Sequence, residues 1–289
     1  MNQLTVISGK GGTGKTTFTS AFASLAENSV ITDCDVDAAD MYLILKPEIM
    51  ETFDFIGSKI ASINDNLCNE CGLCRSYCRF GAITEDLKVN IYDCEGCGVC
   101  EYVCPENAIH LTDRNSGKFY KSMTRYGPMA HAHLGIGEEA SGKLVTAVRN
   151  KSRELAEEYD CDLVLIDGPP GTGCPVIASI TGVDMVLVVT EPSTSGIHDL
   201  KRILEVAKYF DTPALVCINK YDINGDNTRI IEDYCRENGV EIAGKIPYDN
   251  TPVKAMIQEK TVIEYSDNEI SKTINDIWER VRWRLLRTT

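Results

Sequence analysis

Short, wholly apolar runs recur along the chain at Leu4 to Ser8, Val30 to Asp33, Leu163 to Asp167, Met185 to Thr190, Ala214 to Asn219 and Ile242 to Ile246. Between them the apolar residues fall into the three-and-four step of an amphipathic helix, over Thr16 to Glu27, Ser141 to Tyr159, Gly196 to Phe210 and Thr228 to Asn238. A strand that is apolar on both faces must be covered on both, so the alternation predicts an α/β fold, a doubly wound and mostly parallel sheet. Residues 60–113 break this rhythm. They predict a small inserted α+β domain, with residues 1–59 and 114–289 forming the two parts of the parent domain. The return to the parent sheet is expected near Asn115-Ser116-Gly117, a turn-forming run.

The insertion carries the sharpest chemistry. Cys68, Cys71, Cys74 and Cys78 follow the C-x2-C-x2-C-x3-C spacing, and Cys94, Cys97, Cys100 and Cys104 repeat it 26 residues later, with Pro105 after the last. Thiolates every third residue can wrap three corners of a four-iron cube, and the fourth ligand comes from the other motif in the bacterial two-cluster pattern. One [4Fe-4S] cluster is therefore assigned to Cys68, Cys71, Cys74 and Cys104, and a second to Cys94, Cys97, Cys100 and Cys78. Zinc would need only four ligands in two pairs, so eight cysteines in two such runs favour clusters. The segment resembles bacterial ferredoxins over residues 60–113, except that Arg79 stands where proline usually follows the fourth cysteine.

Composition narrows the class. With 43% hydrophobic residues the chain can bury a full core. Met1 leads directly into the first strand and no apolar run approaches the roughly 18 residues of a membrane span, so neither a secretory signal nor a membrane location is expected. Thirteen cysteines then point to a reducing, cytoplasmic setting with metal in place of disulfides. Cys34, Cys161, Cys174, Cys217 and Cys235 remain outside the motifs; most lie in or beside apolar strands as inert thiols, and Cys174 is expected to be exposed. A net charge of −14 excludes nucleic acid as a partner. Residues 60–113 hold nine Asp and Glu against three Lys and Arg, which suits either a redox protein with a basic docking patch or plain solubility.

Strand Leu4 to Ser8 runs into Gly9-Lys10-Gly11-Gly12-Thr13-Gly14-Lys15-Thr16, the G-x4-G-K-T phosphate loop. Its amides, from Gly11, Gly12, Thr13, Gly14, Lys15, Thr16 and Thr17, are expected to cradle the phosphates of ATP at a helix N-terminus. Lys15 reaches the terminal phosphates and Thr16 binds Mg2+. Asp167 ends an apolar strand beside this loop, where a carboxylate can reach the ion through water. Asp35 is expected to position the attacking water, with Asp33 and Asp37 as rivals; Asp37 or Asp40 could instead cap a helix.

The second lysine of the loop, Lys10, resembles the deviant phosphate loop of the MinD and ParA superfamily, which includes the nitrogenase iron protein and Mrp-type iron–sulfur ATPases. Two other stretches, Thr32-Asp33-Cys34-Asp35-Val36-Asp37 and LVLIDGPPGTGC from Leu163 to Cys174, resemble that superfamily's switch I and switch II. Thr190 to Leu200 resembles the subgroup with an inserted ferredoxin domain. The resemblance implies that Lys10 crosses to the nucleotide of a partner subunit, the same chain or a close paralogue, so that ATP closes a dimer. It further implies catalytic roles for Lys10, Lys15 and Asp35, an adenine contact by Asn219 in Asn219-Lys220-Tyr221-Asp222, and a position near the base for Pro247.

The leading expectation is a dimeric ATPase whose nucleotide state governs how two [4Fe-4S] clusters meet an electron partner. An iron–sulfur cluster carrier and a MinD-like positioning protein are the alternatives; a carrier would want a labile interface cluster, and no C-x-x-C lies near the C-terminus to hold one. The basic run Ile277 to Arg287 could lie on a membrane, although packing of its apolar stripe on the sheet is the expected role. His131 and His133, alternating on a strand-like segment, are expected to face packing and not metal.

Overall fold

The computed structural model describes residues 1–135, 138 and 142–287. Among these, the chain divides into two compact units. The larger takes Met1–Phe53, Phe119–His133 and the described residues from 142 onward; the smaller takes Asp54–Lys118 with Leu134, Gly135 and Glu138.

The order of elements begins β1 (Asn2–Ser8), α1 (Lys15–Leu25), β2 (Ser29–Asp33), α2 (Met41–Leu45) and β3 (Glu48–Ile63). It continues with α3 (Leu73–Tyr77), α4 (Val99–Tyr102), β4 (Ile109–Thr124), β5 (Gly127–Leu134), α5 (Gly142–Glu158), β6 (Leu163–Pro170), α6 (Cys174–Ile180) and β7 (Met185–Thr190). Then come α7 (Thr194–Tyr209), β8 (Ala214–Asn219), α8 (Gly225–Glu237), β9 (Glu241–Ile246), α9 (Thr251–Ile257), α10 (Val262–Tyr265) and α11 (Glu269–Leu285). The expected start of the fifth helix, Ser141, lies outside the described residues. The nine strands form one sheet in the order β3-β4-β5-β2-β6-β1-β7-β8-β9. From β5 to β9 every neighbouring pair is parallel. β4 and β5 are adjacent and joined by only Arg125 and Tyr126, a connection too short for anything but an antiparallel pair.

The six strands marked by apolar runs are there, with ends moved by a few residues at most. The Asn115-Ser116-Gly117 run lies just before the chain re-enters the larger unit at Phe119. It is no turn but the middle of β4, where Ser116 is buried and its hydroxyl lies 3.2 Å from that of Ser58 on β3. β3 and β4 contribute residues to both units, so the smaller one opens at Asp54 and not at residue 60.

One core layer lies between the sheet and α1, α9, α10 and α11. Phe22 packs on Trp278 with ring centroids 5.0 Å apart, and Ile270, Ile274, Ile277, Val281 and Leu285 complete the buried stripe of α11. Trp283 and Leu286 remain on its exposed side. His131 is buried against Tyr120 and bonded to Ser122 at 2.9 Å, while His133 is exposed. No described helix is long and apolar enough to cross a membrane.

Candidate nucleotide site and cysteine centre

Parallel strands place the loops that follow them at one end of the sheet, where ligands of open α/β folds bind. The turns after β1, β2, β6, β7 and β8 meet there. Gly12 and Gly14 take positive φ, 77° and 101°, which lets the phosphate loop curl into the N-terminus of α1. A Cβ on Gly9 would lie 2.1 Å from Cβ of Asp199 on α7, so only glycine permits that contact. Gly171 N donates to Ser8 O at 3.0 Å and Cys34 N to Asp167 O at 2.8 Å, tying the three loops together.

Within this frame Lys15 is nearly buried, its ammonium 3.4 Å from Asp35 Oδ2. Thr16 Oγ1 donates to Asp167 Oδ2 at 2.7 Å, and Thr19 Oγ1 to Asp167 Oδ1 at 2.9 Å. Asp33 accepts from the backbone of Asp35 at 3.1 Å. Three carboxylates thus share one buried pocket. Burial lifts the Asp33 carboxyl well above its ordinary pKa, and the charges of Asp167 and Asp35 add to that. Burial also raises Asp35, against the pull of Lys15. Asp167 is pushed up to about 6 by burial, opposed by Lys15 and by the bonds from Thr16 and Thr19. Asp33 Oδ2, Asp35 Oδ1 and the Thr13 hydroxyl are buried without a hydrogen-bond partner. Such orphaned oxygens are costly unless a cation, water or phosphate meets them. Asp37 and Asp40 are exposed; Asp40 stands at the start of α2 but makes no side-chain cap bond.

Asn219 Nδ2 donates to Thr13 O at 2.8 Å, and Lys220, with positive φ, donates through Nζ to Gly12 O at 3.2 Å. The Asn219-Lys220 pair therefore braces the phosphate loop from the far side. A cavity of about 220 Å³ opens next to it, lined by Gly14, Thr17, Asn219, Pro247, Tyr248 and Ile274 among others. Lys10 points elsewhere: its ammonium lies 2.5 Å from Glu191 Oε1 and bonds to the hydroxyls of Ser193 and Ser195 at 3.2 and 3.3 Å. These partners lie in the Thr190 to Leu200 stretch, whose sequence marked it as notable without showing which group it would hold.

In the smaller unit the sequence repeat is also a structural one. Gly72 and Gly98, each with positive φ, open α3 and α4. Backbone bonds recur at the 26-residue offset: Cys78 N to Arg75 O at 3.2 Å and Cys104 N to Glu101 O at 3.4 Å, then Gly81 N to Cys78 O and Asn107 N to Cys104 O, both 3.3 Å. Asn90 N to Ala82 O at 2.7 Å and Asn64 N to Ala108 O at 2.8 Å are reciprocal, because each half completes the other's strand pairing. This exchange brings the last cysteine of one motif to the other. Cys78, Cys94, Cys97 and Cys100 line one cavity walled by Phe80, Val99 and Leu111. Burial pushes the Cys74 thiol pKa up, and Cys68, Cys71 and Cys104 stand close enough to push it further. Among the described residues no group of three or more His, Cys, Asp or Glu stands where it could hold a metal ion, and no cysteine is in a disulfide.

An uncharacterized protein of Methanocaldococcus jannaschii is 34% identical over 97% of this chain and 96% of its own length. An iron-sulfur cluster carrier protein of Pyrococcus furiosus is 26% identical over 42% of this chain and 45% of its own. The septum site-determining protein MinD of Pyrococcus horikoshii, solved in complex with Mg-ADP, shares the fold, with a TM-score of 0.59 at 16% identity over 100% of this chain and 98% of that one. Residues 4–262, from the first strand to beyond the last loop of the site, match the CobQ/CobB/MinD/ParA nucleotide binding domain, and the chain belongs to that family.

Proposed function

We propose that the protein is an ATP-hydrolysing dimeric switch coupled to two [4Fe-4S] clusters, gating electron exchange with a protein partner in the cytoplasm. The observation that carries this reading is the presence, in one chain, of a family phosphate loop beside three buried carboxylates and of two four-cysteine motifs on a structural repeat.

At the nucleotide site the amides of Gly11 to Thr17 would cradle the phosphates of ATP, with the base in the cavity beside Asn219 and Pro247. Lys15 would turn from Asp35 to the terminal phosphate. That exchange frees Asp35, whose Oδ1 already lacks a partner, to hold and orient the attacking water. Thr16 and Asp167 offer hard oxygen donors 2.7 Å apart beside buried carboxylate oxygens that lack a hydrogen-bond partner, which fits Mg2+. Lys10 would leave Glu191 and reach the nucleotide of a second copy or close paralogue.

In the smaller unit Cys68, Cys71, Cys74 and Cys104 would hold one cluster and Cys94, Cys97, Cys100 and Cys78 the other. The lack of single-ion spacing is compatible with this, because a four-iron cube spreads its thiolates wider than one ion does. When bound, such clusters supply one-electron transfer. The thiols of Cys71 and Cys97 are exposed, which gives each set a face toward a partner, and the surplus of acidic residues around them favours a basic one.

The test is anaerobic purification of the full chain with iron, sulfide and ATPase assays. About eight irons and eight sulfides per chain, with magnesium-dependent hydrolysis, is the expected result. Iron absent, or hydrolysis absent, would defeat the reading. The partial similarity to an iron-sulfur cluster carrier favours a second reading, delivery of a cluster to another protein. It is separated by mixing the loaded protein with an apo-acceptor: a carrier loses iron to it, and a redox switch keeps its iron.

A further inference from the structure

The 26-residue repeat extends to two cations. Lys88 and Arg114 occupy equivalent positions, and each reaches back to the turn before the first cysteine of a motif. They do so in different surroundings. Lys88 Nζ pairs with Asp65 at 2.8 Å, with the two side chains 59% and 72% exposed. Arg114 Nη1 donates to the carbonyl oxygens of Ile91 at 2.7 Å and Cys94 at 3.4 Å. Its Nη2 lies 2.5 Å from Glu138 Oε1, and these side chains are only 16% and 14% exposed. Glu138 comes from outside the repeat. Gly135 N donates to Ser116 O at 2.9 Å and Glu138 N to Gly135 O at 3.2 Å.

Water screens the exposed Lys88 pair, although its ammonium also acts on the Cys68 thiol, whereas charges held out of solvent act at a lower effective dielectric and over a longer range. The first motif therefore sees a neutralised surface pair. The second sees a shielded guanidinium one hydrogen bond from Cys94, with a carboxylate behind it that offsets part of the positive charge.

Resting on the cluster reading above, we infer that Arg114 and Glu138 are positioning residues that set the electron affinity at the Cys78, Cys94, Cys97 and Cys100 site apart from that of its twin. Reduction adds one negative charge at that site. The guanidinium favours the addition and Glu138 opposes it, so removing one or the other moves the equilibrium in opposite directions. A purely structural role in holding the turn predicts no such opposition.

The experiment uses the full chain purified anaerobically as wild type, Arg114→Gln, Glu138→Gln and Lys88→Gln, each titrated reductively and followed by electron paramagnetic resonance. Glu138→Gln should raise one of two midpoint potentials and Arg114→Gln should lower the same one, each by up to about tenfold in the reduction equilibrium, or about 59 mV for one electron. The other potential should hold, and Lys88→Gln should leave both close to wild type. Arg114→Lys, which keeps the charge, should stay near wild type and serves if Arg114→Gln loses iron. Potentials unmoved by both substitutions, or shifted in the same direction, would overturn the inference while leaving the clusters in place. Wild-type protein without iron and sulfide would overturn the cluster reading itself, and the inference with it, before any titration.

Discussion

The ammonium of Lys10 lies 2.5 Å from Glu191 Oε1 of the same chain. The other carboxylate oxygen of Glu191 takes Lys220 at 3.1 Å, so one acidic side chain after β7 holds both Lys10 and the lysine that braces the phosphate loop. Burial works against the Glu191 charge, but its bonds to the two lysines win and hold the carboxyl below its usual range. For Lys10 to serve a neighbouring subunit, this contact must break. Lys10→Ala should therefore bind ATP within a few-fold of wild type and lose about 10²-fold or more in hydrolysis, together with ATP-dependent dimerisation. Glu191→Gln should instead favour dimerisation by several-fold at a given ATP concentration. Sedimentation with and without nucleotide reads both; unchanged turnover in Lys10→Ala would remove that lysine from the mechanism.

If the carboxylate pocket holds magnesium as proposed, binding should depend on pH. Asp167 has its pKa raised to about 6, so the folded protein takes up a proton more readily than the unfolded chain between about pH 4 and 6. Stability without metal should accordingly fall as pH rises through that window and level off above it. Magnesium needs the ionised form, so its affinity should run the other way and rise about tenfold from pH 5 to 7. Calorimetric titration of magnesium into the ATP-loaded protein at the two pH values checks this, and Asp167→Asn should abolish both the affinity and its slope.

Gly14 tests the geometry of the phosphate loop. Its φ of 101° disfavours any side chain, and a Cβ there would stand 2.7 Å from Asn219 Nδ2. Gly14→Ala should cost about 1–2 kcal/mol from the backbone alone, and displace the Asn219 bond to Thr13, with ATP affinity falling at least tenfold. Gly11→Ala, where nothing lies within 4 Å and φ is not positive, should be tolerated by the fold. Equal thermal stability and ATP affinity for the two variants would contradict the loop geometry.

Cross-exchange of the fourth cysteine makes a distinct forecast. Cys78→Ala should disturb the cluster otherwise held by Cys94, Cys97 and Cys100, whose cavity Cys78 lines, and spare the one starting at Cys68. Resonance spectra of the reduced variant should lose one set of signals. Loss of the Cys68 set in its place would mean that each motif holds its own cluster.

The parallel strands were legible because a doubly covered strand leaves a wholly apolar run, as in Met185–Thr190. β3 and β4 were not, since β3 is exposed along most of its length and the Asn115-Ser116-Gly117 run on β4 has the composition of a turn. Their pairing is set by contacts between distant residues, such as Phe53 stacked on Phe119 with centroids 5.0 Å apart, and no local pattern reports that. That Lys15, Thr16 and Asp35 lie close together could be read from the sequence because loop and strand end are short and contiguous. The hold of Glu191 on Lys10 spans 181 positions in sequence, and the Arg114–Glu138 pair joins β4 to a segment beyond β5. Both depend on tertiary placement.

On the proposed function, nucleotide state and redox state are linked in one chain. Linkage is reciprocal, so if ATP changes the electron affinity of a cluster, reduction changes ATP affinity by the same free energy. The most direct measurement is of both midpoint potentials, with ADP and with a nonhydrolysable ATP analogue, on the anaerobically purified protein. At least one potential should shift between the two nucleotides, by about 59 mV for each tenfold change in equilibrium. Two potentials that are the same with either nucleotide, and an ATP affinity unaltered by reduction, would contradict it.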